Sequence, residues 1–147
     1  MSSFRIYNNN SKPSEEEKEA IVNFLYTHLE EFGDEKEAIL KCLNFAVKDS
    51  DTDLGGFVLV LKEATETLGI TIINKTGMED YIPENILVYI AVHNNARGNG
   101  VGKLLMQKAI ETAEGDIALH VEPNNPAKFL YEKLGFENKY LEMRLKK

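Results

Sequence analysis

Ile86-Leu87-Val88-Tyr89-Ile90-Ala91-Val92, then His93-Asn94-Asn95-Ala96, then Arg97-Gly98-Asn99-Gly100-Val101-Gly102-Lys103, is the stretch that decides the fold. Seven consecutive apolar residues between turn formers predict a strand covered on both faces, and therefore central in its sheet. Glycines at 98, 100 and 102 permit positive φ and let a ligand approach the backbone closely. Beyond them Val101, Leu104, Leu105, Ala109 and Ala113 recur at helical spacing, which predicts a helix to about Glu114 with its N-terminus at the turn. Unpaired N–H groups and the positive end of the helix dipole meet there, and Arg97 adds a full charge beside them. A phosphate or pyrophosphate is the natural occupant.

Upstream, Phe4–Tyr7 reads as a short strand closed by three asparagines. Ser14 followed by Glu15, Glu16 and Glu17 is a capping box, and Ile21, Phe24, Leu25 and Leu29 continue it as a helix stopped by Gly33. Asp34 is placed to cap a second helix to about Lys48, with Ala38, Ile39, Cys42, Leu43 and Ala46 as its apolar face. Phe57–Leu61 and Leu68–Ile73 read as an antiparallel hairpin. Downstream, Ile117–Val121 is a strand, Pro123-Asn124-Asn125-Pro126 leads into a helix to Leu134, and Phe136–Leu145 holds one or two more strands. The order β-α-α-β-β-β-α-β-α-β describes one mixed α/β domain spanning residues 1–147.

The composition narrows the function. With 17 basic and 24 acidic residues the net charge is −7, a field that repels phosphate backbones and anionic lipid. Neither nucleic acid nor a membrane surface is expected as a partner; a cationic small molecule or basic peptide is. The seven-residue apolar run is far short of a membrane span, and the polar N-terminus has neither a signal-peptide core nor a transit pattern, so a cytoplasmic protein is expected. The single Cys42 builds neither an internal disulfide nor a thiolate metal site, and no metal is expected.

Two common phosphate motifs fail against the turn. A Walker loop needs four residues between its Gly and Gly-Lys and then Ser or Thr; here three residues separate Gly98 from Gly102, and Leu104 follows Lys103. The dinucleotide fingerprint needs a third glycine where Lys103 stands. What the turn does resemble is the acyl-CoA motif of the GNAT N-acyltransferase superfamily, Arg/Gln-x-x-Gly-x-Gly/Ala, as Arg97-Gly98-Asn99-Gly100-Val101-Gly102. A second motif of that family, Asn-x-x-Ala-x-x-x-Tyr-x-x-x-Gly-Phe, is matched downstream by Asn124, Ala127, Tyr131, Gly135 and Phe136.

The resemblance implies a GNAT-type fold, a mixed and mostly antiparallel central sheet flanked by helices, and acetyl-CoA as cosubstrate. It implies that the backbone of Arg97, Gly98, Asn99, Gly100, Val101, Gly102 and Lys103 holds the pyrophosphate. It further implies that the pantetheine arm lies along Ile90, Ala91 and Val92, with the Val92 amide facing the thioester carbonyl. Asn124 then contacts the CoA arm and Tyr131 stands near the sulfur. An amine attacks the thioester directly; the step needs a base for the ammonium proton, oxyanion donors, and an acid for the leaving thiolate. Tyrosine suits a thiolate acceptor, so Tyr131 is the expected acid; a packed helix residue with a wet hydroxyl is its other reading.

For the base the leading candidate is Glu84, thirteen residues before Arg97, an offset resembling the histone-acetylating branch. An exposed strand-start residue after Pro83 is the alternative. His120 follows the alternation to the face opposite Ile117, Leu119 and Val121 and has Glu122 as a relay partner, or is simply a packed or surface histidine. His93, ending the central strand, acts through water or is a loop histidine. Cys42, on an apolar helix face without a histidine at helical spacing, reads as a core thiol rather than an acyl carrier. Glu30–Glu31 with Asp34–Glu35 are solvated helix ends, or they draw a cationic amine to the acceptor site. The expected function is N-acetylation of a primary amine. The alternative is a CoA-binding sensor or interaction module without catalysis. Only eleven residues follow Phe136, so the last strand pair is minimal or completed by a partner, and a monomer or a homodimer fits.

Overall fold

The capping box forms: Ser14 Oγ accepts from Glu17 N at 3.1 Å and Glu17 Oε1 accepts from Ser14 N at 2.8 Å. The same carboxylate takes the hydroxyl of Tyr7 at 2.6 Å, tying the first strand to the first helix. In this computed structural model, which describes residues 1–147, the elements run β1 (Ser2–Tyr7), α1 (Glu15–Leu29), a 3-10 turn (Glu30–Phe32) and α2 (Lys36–Ala46). They continue with β2 (Gly56–Glu63), β3 (Glu66–Lys75), β4 (Asn85–Val92), α3 (Val101–Thr112), β5 (Ile117–Leu119) and α4 (Ala127–Lys133).

One five-stranded sheet takes the order β1-β2-β3-β4-β5; the first three pairings are antiparallel and β4–β5 is parallel. Each strand alternates its side chains between two cores. Val58, Val60, Ile70, Ile72, Tyr89 and Ala91 meet α1 and α2 through Leu25, Ile39 and Leu43. Phe57, Leu59, Leu61, Ile73 and Leu87 meet α3 and α4 through Leu105, Met106 and Tyr131. The uninterrupted apolar run is read correctly as a strand covered on both faces, but β4 is not central: β3 is, and β4 lies second from the β5 edge.

Within that run Leu87 and Tyr89 lie two apart yet face opposite cores. The register explains it: Ile72 pairs with Tyr89 and Ile73 with Leu87, so Val88 is an extra residue, a β-bulge. At the bulge the two neighbours of β4 part company. β3 stays paired as far as Val92, whereas β5 is paired only along Asn85–Leu87. From Val88 onward a gap in the pairing therefore lies between β4 and β5.

Several expected details differ. Asp34 does not cap α2, whose N-cap is Glu35; its carboxylate instead accepts the Tyr89 hydroxyl at 2.6 Å. Ala38 is exposed on α2, and on α3 Met106 is buried where Leu104 is 45% exposed, because the helix is rotated to bring Leu105 and Met106 onto the sheet. β5 ends at Leu119 rather than Val121, since the divergence from β4 removes its partner. No strand forms in Phe136–Leu145, and residues 137–147 are all exposed. No helix is long and apolar enough to cross a membrane.

Candidate active site

The site grows from the edge of β4 that faces the gap. His93 N donates to Leu68 O at 2.8 Å, which makes the pair opposite His93 a hydrogen-bonded one. Antiparallel ladders alternate, so Ala91 and Tyr89 also turn their amides to β3, while Ile90 and Val92 turn theirs outward. Buried Thr71 reinforces the inner side by donating its hydroxyl to Tyr89 O at 2.8 Å. Beyond the last paired residue of β5 the outward N–H and C=O groups of Ile90 and Val92 have no strand opposite them. They offer an extended ligand the hydrogen bonds of an added strand.

The gap leads to the glycine turn. Gly98 and Gly100 take φ of +82° and +79°, and a Cβ at either would meet nothing within 4 Å, so the turn is a left-handed, open cradle. Gly100 is the N-cap of α3, which leaves the amides of Val101, Gly102 and Lys103 as the helix's first free donors. Gly102 serves a different purpose. A Cβ there would lie 3.3 Å from Leu130 Cδ2 and 3.8 Å from Val92 Cγ2, so its bareness lets α4 and β4 close on the start of α3.

The Arg97 side chain reaches toward α1. Its guanidinium donates to His28 O at 2.8 Å and pairs with Glu30 at 3.5 Å, closing the open carbonyl end of α1. His28 Nδ1 accepts from Asn94 N at 3.3 Å and its ring lies against His93 with centroids 4.3 Å apart, so four contacts latch the turn to α1 and the 3-10 turn after it. Burial, with His93 and Arg97 adding, holds the His28 imidazole below the ordinary histidine value. This latch is missed by sequence reading, because its halves lie 66 and 69 residues apart.

Tyr131 follows Leu130 on α4 and is buried, its ring edge-on to Phe136 at 6.0 Å. Its hydroxyl makes no hydrogen bond within the chain, and burial alone pushes the phenol up to about 12. Asn124 is exposed; the neighbouring Asn125 does the structural work there, its Oδ1 accepting Ala127 N at 2.9 Å to start α4. Glu84 is not brought to the turn. It precedes β4 at the end opposite Val92, and its carboxylate accepts Asp116 N at 3.0 Å under Gly115. His120 pairs with Glu142 at 3.8 Å rather than with Glu122. Cys42 is a core thiol: burial pushes it up to about 12 and Asn74 donates to its sulfur at 3.4 Å. The structure holds no group of three or more His, Cys, Asp or Glu that could bind a metal.

An open strand edge thus leads to a helix N-terminus whose first amides are free, a geometry that can hydrogen-bond an extended ligand and an anion. Residues 54–138, more than half of the chain, match the acetyltransferase (GNAT) domain model. The chain belongs to the GNAT acetyltransferase family, whose chemistry is acyl transfer from CoA. Among solved structures it is similar to the aminoglycoside N-acetyltransferase AAC(6')-Iy in complex with CoA, at TM-score 0.68 and 16% identity over 100% of this chain and 96% of that one. It is similar also to the ribosomal-protein-S18-alanine N-acetyltransferase of Escherichia coli, at 0.66 and 17% over 93% and 78%. A transcriptional regulator from Bacillus halodurans C-125 gives 0.69 and 21% over 99% of both chains. No curated protein matches significantly.

Proposed function

We propose that the protein transfers acetyl from acetyl-CoA to a primary amine by direct attack on the thioester. The observation that carries this reading is the free edge of β4 running from the bulge to the open glycine cradle. The cradle amides from Gly98 to Lys103 receive the pyrophosphate, and the outward groups of Ile90 and Val92 take the pantetheine arm. One of those two amides faces the thioester oxygen and stabilises the charge that develops there. Ala91, facing α1 and α2, backs the strand instead. Arg97 contributes by fixing the turn, and Asn124, exposed at the head of α4, borders the CoA arm.

Tyr131 is the proposed acid. A phenol raised to about 12 is protonated throughout the neutral range, so it stands ready to protonate a departing thiolate. Glu84, occupied at the far end of β4, serves in this scheme to hold the approach to β5. The acceptor is a cationic amine, favoured by the −7 charge and by Asp34, which accepts the Tyr89 hydroxyl. The likeness to a transcriptional regulator keeps a non-catalytic CoA-binding module as the second reading.

Release of free CoA thiol from acetyl-CoA, against amines, amino acids and peptides, separates the two. Tyr131→Phe should lower kcat by about a hundredfold with little change in the acetyl-CoA KM, the scale of a lost general acid. Glu84→Gln should leave kcat near wild type. Acetyl-CoA binding without thiol release on any amine would favour the module.

A further inference from the structure

Between α1 and the start of β3 lies a cleft that the proposed reaction does not use. Its volume is about 380 Å³, within the range of small-molecule sites. Half-buried Phe24, His28 and His93 lie at its base with Thr67, and exposed Asn23 and Glu66 stand at its rim. The three rings pack together, Phe24 lying 4.5 Å from His28 and 6.2 Å from His93 between centroids. β3 pairs with β4 on the side away from β5, so this cleft and the free edge of β4 lie on opposite sides of that strand.

Hydrogen bonds fix what the two imidazoles present. Nδ1 of His28 accepts from Asn94 N, and Nδ1 of His93 accepts from Asn95 N at 3.0 Å. A ring nitrogen that accepts carries no proton, so each neutral ring holds its proton on Nε2. Neither Nε2 has a partner within the chain. Two neighbouring N–H donors suit oxygen acceptors; a metal ion would need the lone pair that each proton occupies. Glu66, by contrast, makes no ion pair or hydrogen bond, and its register partner across the hairpin is Glu63. Like charges directly opposite each other in a ladder repel, and a cation beside Glu66 would relieve that repulsion. The cleft thus combines paired donors, an aromatic base and an uncompensated carboxylate.

We infer that this cleft binds a small zwitterion, an α-amino acid, with its carboxylate on the Nε2–H groups of His28 and His93 and its ammonium on Glu66. The same two imidazoles hold Asn94 and Asn95, which lead directly into the glycine turn. A ligand that binds the rings only in this placement also favours the turn in this placement, and so raises affinity for acetyl-CoA. That coupling rests on the proposed function; binding of the amino acid does not.

The chain has three histidines, and only His120 lies away from the cleft, so it serves as an internal reference. In histidine-labelled protein without CoA, titration with glycine, serine or leucine should shift the imidazole resonances of His28 and His93 saturably and leave His120 unmoved. Acetate and methylamine, each carrying one of the two charges, should bind about tenfold more weakly. Glu66→Gln should weaken amino-acid binding about tenfold and leave the acetyl-CoA Kd, measured without amino acid, unchanged. In the wild type, saturating amino acid should lower the acetyl-CoA Kd about fivefold. Resonances that stay still with all three amino acids, that move equally at His120, or that respond as strongly to acetate or methylamine overturn the site. An unchanged acetyl-CoA Kd with the cleft filled overturns the coupling. If acetyl-CoA does not bind at all, the proposed function fails, and the histidine resonances still decide the site.

Discussion

At the scale of single residues, the glycines separate conformation from contact. Gly98, Gly100 and Gly135 all hold left-handed φ with open space where a side chain would go. An alanine at any of them is strained by roughly 1–2 kcal/mol, since an L-residue there brings its Cβ toward the carbonyl. Only Gly98 and Gly100 lie in the cradle proposed for the pyrophosphate. Gly100→Ala and Gly135→Ala should therefore lose similar stability in urea, while only Gly100→Ala raises the acetyl-CoA Kd, by about tenfold. Equal affinity in the two variants would separate the turn from the ligand. Gly69 acts by contact: an added Cβ would meet Leu105 Cδ1 at 2.6 Å and Val101 Cγ1 at 3.0 Å, because α3 lies directly on β3. Gly69→Ala should cost about 1–3 kcal/mol by overpacking, read as a lower urea midpoint.

Elements are where sequence and structure agree most and where their differences teach most. The capping box of α1, helical spacing and the hairpin were legible because each rests on residues within one or two turns of each other. The glycine turn and the Tyr131 motif were legible as a resemblance, their spacing being fixed by one loop and one helix. The bulge was not: Ile86–Val92 is apolar throughout, and a run that is buried on both faces carries no alternation to reveal an extra residue. Glu84 was placed by an offset along the chain, and the bulge and the far end of β4 are what such an offset ignores. Arg97 was read as a ligand charge, and its contacts with His28 and Glu30 were not foreseen. That latch has a pH dependence. His28 sits below the ordinary histidine value, so the unfolded chain binds the proton first, and stability is full above about pH 6.5 and falls as pH drops through the folded value. Protonation also removes the Nδ1 acceptor of Asn94 N. Calorimetry at pH 7.5 and 5.5 should show acetyl-CoA binding weakening more in wild type than in His28→Asn, which keeps an acceptor without titrating. The same pH response in both would discard the latch as a control on the turn.

Over the whole molecule, charge and burial act on different parts of the pH scale. The −7 balance disfavours anions at a distance, but an anion in the cradle meets backbone amides, which do not depend on net charge. Burial shows itself instead in the tyrosines. Tyr7, Tyr89 and Tyr131 are 3%, 7% and 6% exposed and occupy both cores, and each phenol is raised, with burial the first cause. Glu17 adds to the rise at Tyr7 and Asp34 at Tyr89, each accepting the hydroxyl proton that ionisation would remove. In the unfolded chain all three ionise near pH 10. A group whose folded value is raised contributes stability that is complete below the unfolded value and lost as pH climbs through the folded one, about 12 for Tyr131. The urea midpoint should therefore hold between pH 8 and about 9.5 and fall steeply above 10, with both cores opening together. Tyr131→Phe removes one of the three ionisations and should make that fall shallower, even if it lowers the midpoint at neutral pH. An alkaline slope unchanged in Tyr131→Phe would mean that this phenol ionises alike in the folded and unfolded chains, and would remove its burial as a source of the alkaline loss of stability.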